Sequence, residues 1–221
     1  MDYTISGDLD SWARTLLDDP DMALMGHAQS VRDANLGMGW IYYGLARALR
    51  PRLAVVIGSW RGFVPLVLAR ALADNQEPGK VLFIDPSRVD DFWKSPARVA
   101  RHFAKHGARN VRHECVTTQE FVASHAFREM GNEVGLLFID GYHTREQVAF
   151  DYESFRPRLS PDALVLFHDS RRDRLSRIYG EGREYEQRVH SYVETLRARP
   201  ELEVLSLQLG DGLTLLRHRS P

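Results

Sequence analysis

Apolar and polar positions along this chain fall into blocks, and the blocks repeat. The first clear one is Leu53–Ile57, a short apolar run that is β-branched at Val55, Val56 and Ile57. Such a run suits a strand buried on both faces of a sheet. Gly58 and Gly62 then bracket a tight turn, and Phe63–Ala73 carries the apolar spacing of a helix. The alternation recurs downstream. Strands are predicted at Val81–Asp85, Val111–Val116, Val134–Asp140 and Ala163–His168, with Val134–Asp140 the most apolar. Helices are predicted over Ser95–His106, Thr118–Met130 and Thr144–Arg158, with turns at Glu77-Pro78-Gly79 and Ser160-Pro161-Asp162. Ser95 followed by Pro96 is a cap with proline in the first helical position, and Gly107 suits the helix end.

Upstream, Gly39–Leu49 places Ile41, Leu45, Ala48 and Leu49 at helical spacing and stops at Pro51. A shorter helix, capped by Asp8 or Asp10, runs to Leu17 and stops at Asp18-Asp19-Pro20. Between the two, Gly26–Asn35 follows neither period. Near the end, a long charged helix is predicted over Tyr185–Ala198. Leu202–Leu209 and Leu213–Arg217, joined by Gly210-Asp211-Gly212, have the pattern of an antiparallel hairpin. Five βα units and a hairpin define an α/β fold: a Rossmann-like seven-stranded, mostly parallel sheet over residues 51–221, with helices on both faces. Residues 1–50 form an N-terminal helical extension of the same domain.

Composition narrows the function. The 221 residues are 43% apolar and 27% charged, ordinary for a globular domain with a full core. A net charge of −1 supplies no field for nucleic acid or an anionic membrane, so neither is an expected partner. Cys115 is the single cysteine, which excludes an intramolecular disulfide and a cysteine-built zinc site. Its place in a predicted strand makes a buried structural thiol the expectation. No segment approaches the ~20 apolar residues that cross a bilayer. Asp2, Asp8 and Asp10 do not suit a signal peptide, so a cytoplasmic protein is expected.

In a doubly wound sheet, ligands lie outside the carboxyl ends of the strands. The first strand delivers Gly58-Ser59-Trp60-Arg61-Gly62, a turn that brings backbone N–H groups and a helix N-terminus to a nucleotide-like ligand. The second delivers Asp85, followed by Pro86-Ser87. A carboxylate there accepts hydrogen bonds from both hydroxyls of a ribose, or else caps the next turn. The fourth delivers Asp140-Gly141-Tyr142-His143 and the fifth His168-Asp169-Ser170. Asp140 and Asp169 end neighbouring strands, so they can converge on a hard cation such as Mg²⁺, with His168 as a further ligand or an orienting group. His143 has the chemistry of a general base near neutral pH. Arg171, Arg172, Arg174 and Arg177 stand where an acceptor enters; they could grip an anionic group or pair with Glu181, Glu184 and Glu186. Trp93, Tyr179 and Tyr185 could wall an apolar pocket, whereas Trp40, Tyr42 and Tyr43 read as packing groups.

From Leu53 onward these residues resemble the class I S-adenosylmethionine-dependent methyltransferases. More narrowly, Phe138–Ser170 is similar to the small-molecule O-methyltransferases of the macrocin and mycinamicin type and to cephalosporin-hydroxylase-like proteins. The resemblance implies S-adenosylmethionine as cofactor, with its methionine part on Gly58, Ser59, Trp60 and Gly62. It implies the ribose on Asp85, the adenine near Thr117 and Thr118, and further cofactor contacts at Ser87 and Asp140. It also implies Mg²⁺ held by Asp140 and Asp169, with His168 where the closest relatives have another acid. His143 would then deprotonate a hydroxyl of a small-molecule acceptor, a natural product or a sugar. Two positions depart from the family pattern: Val56 stands where an acid is usual, and Trp60 replaces the middle glycine of the turn. They motivate the alternative of a non-catalytic binding protein on the same fold. Asp85 alone would also suit a nicotinamide-dependent oxidoreductase, although the G-x-G-x-x-G spacing of that class is absent. The amphipathic N-terminal helices could form a homodimer contact.

Overall fold

The structure, a computed structural model, describes residues 8–22, 26–77 and 79–219. Pro78 of the predicted turn and the first seven residues, including Asp2, lie outside the described residues. The strands are β1 (Leu53–Ile57), β2 (Lys80–Ile84), β3 (Val111–Glu114), β4 (Val134–Ile139), β5 (Leu159–His168), β6 (Arg174–Ser176), β7 (Tyr185–Gln187), β8 (Leu202–Leu207) and β9 (Leu213–His218). A seven-stranded sheet runs β3-β2-β1-β4-β5-β9-β8, and β6 pairs with β7 outside it. Strands β1 to β5 are mutually parallel, while β9 is antiparallel to both β5 and β8. The chain winds outward from β1 through β2 and β3, then returns to β4 on the other side. The strand order therefore reverses between β1 and β4, the place where such sheets open a ligand crevice.

The apolar runs are continuous because each strand serves two cores. Ala54, Val56, Leu136 and Phe138 face one cluster, which is covered by α1 (Leu9–Leu17), α2 (Gly39–Leu49), α3 (Phe63–Ala73) and α4 (Pro96–Lys105). Val55, Ile57, Leu137 and Ile139 face the other, covered by α5 (Thr118–Ala123), α6 (His125–Glu129), α7 (Arg145–Phe155) and α8 (Val189–Arg197). Each fully buried Val, Leu or Phe contributes roughly 1.5–3 kcal/mol. The N-terminal extension docks on the first cluster. Asp8 caps α1 by accepting from Ser11 N at 2.7 Å, and Trp12, Leu16 and Leu17 are buried. Asp19 then pairs with Lys105 at 2.7 Å and with His106 at 3.2 Å, which ties the extension to the end of α4. Among the described residues, no helix is long and apolar enough to cross a membrane.

Four expectations change. The helix predicted from Tyr185 begins only at Val189, because Tyr185–Gln187 pairs as a strand with Arg174–Ser176. The segment Thr118–Met130 is broken at Ser124, whose extended backbone and hydroxyl cap a second short helix. Ser160-Pro161-Asp162 is not a separate turn but lies within β5, where the register to β4 shifts between Val134↔Leu159 and Leu136↔Leu164. Cys115 is exposed, one residue past the end of β3, and is not a buried structural thiol.

Gly58 closes the switch point. Its φ is +71°, and a Cβ there would stand 2.4 Å from Asp140 O and 2.5 Å from Gly141 Cα. Only a residue without a side chain lets the turn after β1 cross the end of β4 this closely. Gly58→Ala is expected to lower stability by ~2 kcal/mol or more, read as a lower urea midpoint with an unchanged slope. An unchanged midpoint would show that the crossing tolerates a side chain.

Candidate active site

A cavity of about 1100 Å³ opens over the carboxyl ends of β1, β2, β4 and β5. At its β1 end the turn is stiffened from within. Gly62 N donates to Ser59 O at 2.6 Å, and Val64 N to Ser59 Oγ at 3.3 Å. Trp60 lines the cavity in a left-handed conformation with φ +43°, and the Arg61 guanidinium lies 4.6 Å from the centre of its ring. Asp90 holds Arg61 in place with two hydrogen bonds. Trp93 is buried beneath this turn, against Gly62, and donates its Nε1–H to Trp60 O at 2.6 Å. The turn is therefore braced on its far side by an aromatic ring.

At the β2 end, Asp85 Oδ1 accepts from Ser87 N at 2.7 Å, closing a turn. Burial pushes the Asp85 carboxyl up to about 6, against the backbone donors of Ser87 and Ser59 that lower it. Ser87 lines the cavity, but its hydroxyl is occupied, donating to Asp90 O at 2.6 Å and accepting from Trp93 N at 2.9 Å. Thr117 caps α5 in a reciprocal capping box with Glu120, while Thr118 is buried in the cavity wall.

The acidic end is built from three elements. Asp140, just past β4, is joined by His168 Nδ1 from β5 at 2.9 Å. His143, on the loop after β4, places Nε2 3.4 Å from Asp140 Oδ1 and Nδ1 3.3 Å from Asp169 Oδ2. Burial works to raise the Asp140 carboxyl, yet His168 and His143 overcome it and hold it well below the usual carboxylate range. Burial likewise opposes charge on His168, and Asp140 and Asp169 push it up to about 9. Asp140 and His168 therefore form an ionised pair in the interior. Ligand atoms from Asp140, His143 and Asp169 all lie within 4.8 Å of one another; His168 stands behind Asp140 and orients it.

His27, Gln187 and Asp211, which the sequence did not single out for the site, complete this end together with Arg174, Tyr179 and Tyr185, which it did. His27 comes from the aperiodic segment of the extension, with its Nδ1 3.0 Å from Tyr42 Oη, its Nε2 4.0 Å from Asp140 Oδ2, and its ring centre 4.3 Å from that of His168. Burial pushes it down to about 3, with His168 adding to the effect, so it is neutral. Arg174 pairs with Asp169 at 3.0 Å and with Asp211 at 2.6 Å, not with the glutamates that follow it. Arg174 Nε also donates to Gln187 Oε1 at 2.5 Å, and Gln187 Nε2 donates to His143 Nδ1 at 3.2 Å. The rings of Tyr142, Tyr179 and Tyr185 gather where the β6–β7 ribbon meets the cavity, with centres 4.3–5.8 Å apart.

Comparison with known proteins fits this arrangement. A family described as a methyltransferase domain matches residues 55–170, from β1 to the residue after Asp169. An uncharacterized protein of Sinorhizobium fredii is 30% identical over 145 residues, which make up 65% of this chain but 15% of that protein. The O-methyltransferase TomG of Streptomyces achromogenes, involved in tomaymycin synthesis and solved with SAM, superposes at a TM-score of 0.66 with 17% identity, over 98% of this chain and 92% of its own. An O-methyltransferase of Bacillus cereus in complex with SAH gives 0.66 with 15% identity, over 97% and 94%. At these identities the superpositions speak for the fold, and the matched family covers four strand ends of the cavity. The chain belongs to the methyltransferase-domain family and has the fold of the class I S-adenosylmethionine-dependent methyltransferases.

Proposed function

We propose that this protein transfers the methyl group of S-adenosylmethionine to a hydroxyl of a small molecule. The observation that carries the reading is the meeting of Asp140, His143 and Asp169 in the same cavity as the glycine turn and Asp85. In the reaction, the hydroxyl oxygen attacks the sulfonium methyl in line. The carbon–sulfur bond breaks with its electron pair left on sulfur, and the hydroxyl proton passes to the protein. Because the methyl is already activated, alignment supplies most of the acceleration.

His143 is placed to take that proton. Arg174 occupies Gln187 Oε1, so Gln187 turns its N–H₂ toward His143 Nδ1. The lone pair of neutral His143 is then on Nδ1 and its proton on Nε2. Proton uptake at Nδ1 requires that Gln187 Nε2 give up its hydrogen bond there, and the imidazolium that forms has Asp169 Oδ2 at 3.3 Å on one side and Asp140 Oδ1 at 3.4 Å on the other. The donor set also fits a divalent cation. Two carboxylates converge beside an imidazole. Asp140 and Asp169 would hold the ion beside His143. When bound, it would orient the acceptor oxygens and lower the pKa of the attacking one. A metal-free reaction is favoured by a different observation: His168 and Arg174 already pair with the same two carboxylates.

Incubation with labelled S-adenosylmethionine and a panel of sugars and phenols is expected to give a methyl ether and S-adenosylhomocysteine; if no hydroxyl compound is labelled, the reading fails. His143→Ala is expected to lower turnover by about 10²–10⁴-fold while affinity for S-adenosylhomocysteine holds. Full activity in that variant would remove His143 as the base. Chelation with EDTA separates the two forms of the mechanism: activity lost and restored by Mg²⁺ supports the cation, and unchanged activity supports the metal-free form.

Asp85 makes the cofactor step pH-dependent. Its ionised form is the one that accepts two ribose hydroxyls, and burial holds its carboxyl near 6. Affinity for S-adenosylhomocysteine should therefore rise about tenfold from about pH 5 to about pH 7. Calorimetry of Asp85→Asn is expected to lose that rise; a rise retained in the variant would assign it to another group.

A further inference from the structure

The loop after β2 and the β6–β7 ribbon each bring to the cavity an arginine that the mechanism above leaves unused. Arg88 and Arg177 both line it and both are exposed, and neither guanidinium makes a hydrogen bond or an ion pair among the described residues. The other two arginines of the lining are committed, Arg61 to Asp90 and Arg174 to Asp169 and Asp211. Nearby acids are engaged elsewhere. Glu186 of the ribbon pairs with Arg188, and Glu120, which feels the charge of Arg88, is held in its capping box with Thr117. The cavity is therefore polarised, with Asp85, Asp140 and Asp169 at its floor and unpaired positive charge at its rim. An anionic group entering it is repelled by the floor and held at the rim.

Between floor and rim runs an apolar wall. Tyr142 precedes His143 in the chain, and its ring centre lies 4.3 Å from that of Tyr185 and 5.8 Å from that of Tyr179. Tyr179 in turn lies within the field of Arg88, which opposes the rise that burial imposes on its hydroxyl. Leu175 and Ile178 of the ribbon also line the cavity and are 57% and 49% exposed. Large apolar side chains left this open on one side of a cavity mark a surface kept for a ligand. The three rings, tilted 34–49° to one another, offer faces and edges to a flat apolar body. A sugar would need hydrogen-bond partners along this wall, and Leu175 and Ile178 supply none. We propose that the acceptor is an aromatic carboxylate with a ring hydroxyl, its ring on Tyr142, Tyr179 and Tyr185, its carboxylate held by Arg88 and Arg177, and its hydroxyl presented to His143. The inference deepens the methyl-transfer reading and rests on it. The planar guanidinium fork matches a flat carboxylate, and the polarity of the cavity sets which end of the acceptor goes in first.

The test compares hydroxycinnamic and hydroxybenzoic acids with their neutral amides as acceptors for the full chain, each pair read as a ratio of kcat/KM values. At least one acid is expected to be methylated, and at least about tenfold better than its amide. In Arg177→Gln that ratio should fall to roughly threefold or less, and in the double variant with Arg88→Gln to near one. Because both guanidiniums are exposed, about 0.5 M salt should also shrink the wild-type ratio. A damaged fold would lower acid and amide together and keep the ratio. Methylation of none of these phenols by protein that binds S-adenosylhomocysteine, equal use of acid and amide, or a ratio kept in the double variant overturns the inference. Wild-type protein that does not bind S-adenosylhomocysteine overturns the methyl-transfer reading itself, so the two failures are distinct.

Discussion

Much of this molecule is arranged around one largely enclosed carboxylate at the cavity floor. Asp140 sits where β4 ends at the topological switch point, and three imidazoles surround it, from the extension, from its own loop and from β5. Burying a carboxylate without partners would cost several kcal/mol. The cost is offset by a proton held on His168, which burial alone would have removed. Removing either partner would strand the other charge in the interior, so the β4 and β5 ends are locked together. His27 extends the lock to the N-terminal segment, and its hydrogen bond to Tyr42 anchors α2 beneath the same site. The extension is thus part of the site as well as part of the core.

The same carboxylate constrains the glycine turn. Gly58 N donates to Ile84 O and Asp140 N to Ile57 O, so β1, β2 and β4 exchange their last hydrogen bonds where the ligand crevice begins. Val56 lies in the core, fully buried, and places no carboxylate behind the turn. The polar duties of the β1–β2 side therefore fall on the turn backbone and on Asp85. Trp60 departs from the usual glycine, but its ring is turned to the cavity edge and stacked with Arg61.

The parts legible in the sequence are those that depend on local pattern. Doubly buried strands read as apolar runs; Ser95 reads as a helix cap, as does either Asp8 or Asp10, and in the structure Ser95 and Asp8 cap. Asp140 and Asp169 end adjacent parallel strands; the register Ile139↔Phe167 sets Asp140 beside His168, and Asp169, the next residue, joins the group through His143. What escaped pattern depends on partners distant in sequence. Tyr185–Gln187 has the composition of a helical start, but pairing with Arg174–Ser176 and the bonds of Gln187 to Arg174 and His143 make it a strand. His27 lies in a segment without period, and Asp211 reads only as a hairpin turn residue, so neither advertises a role at the site. Cys115 lies outside the strand because β3 stops at Glu114, two residues before the end of the predicted strand at Val116.

The central claim is that the strand ends of β1, β2, β4 and β5 form one S-adenosylmethionine site. Titration of the purified protein with S-adenosylhomocysteine in a calorimeter tests it most directly. The account expects one site per chain with micromolar affinity, about −8 kcal/mol, and at least about tenfold weaker binding in Asp85→Ala. Absence of binding by the wild type, or equal affinity in the variant, would contradict it.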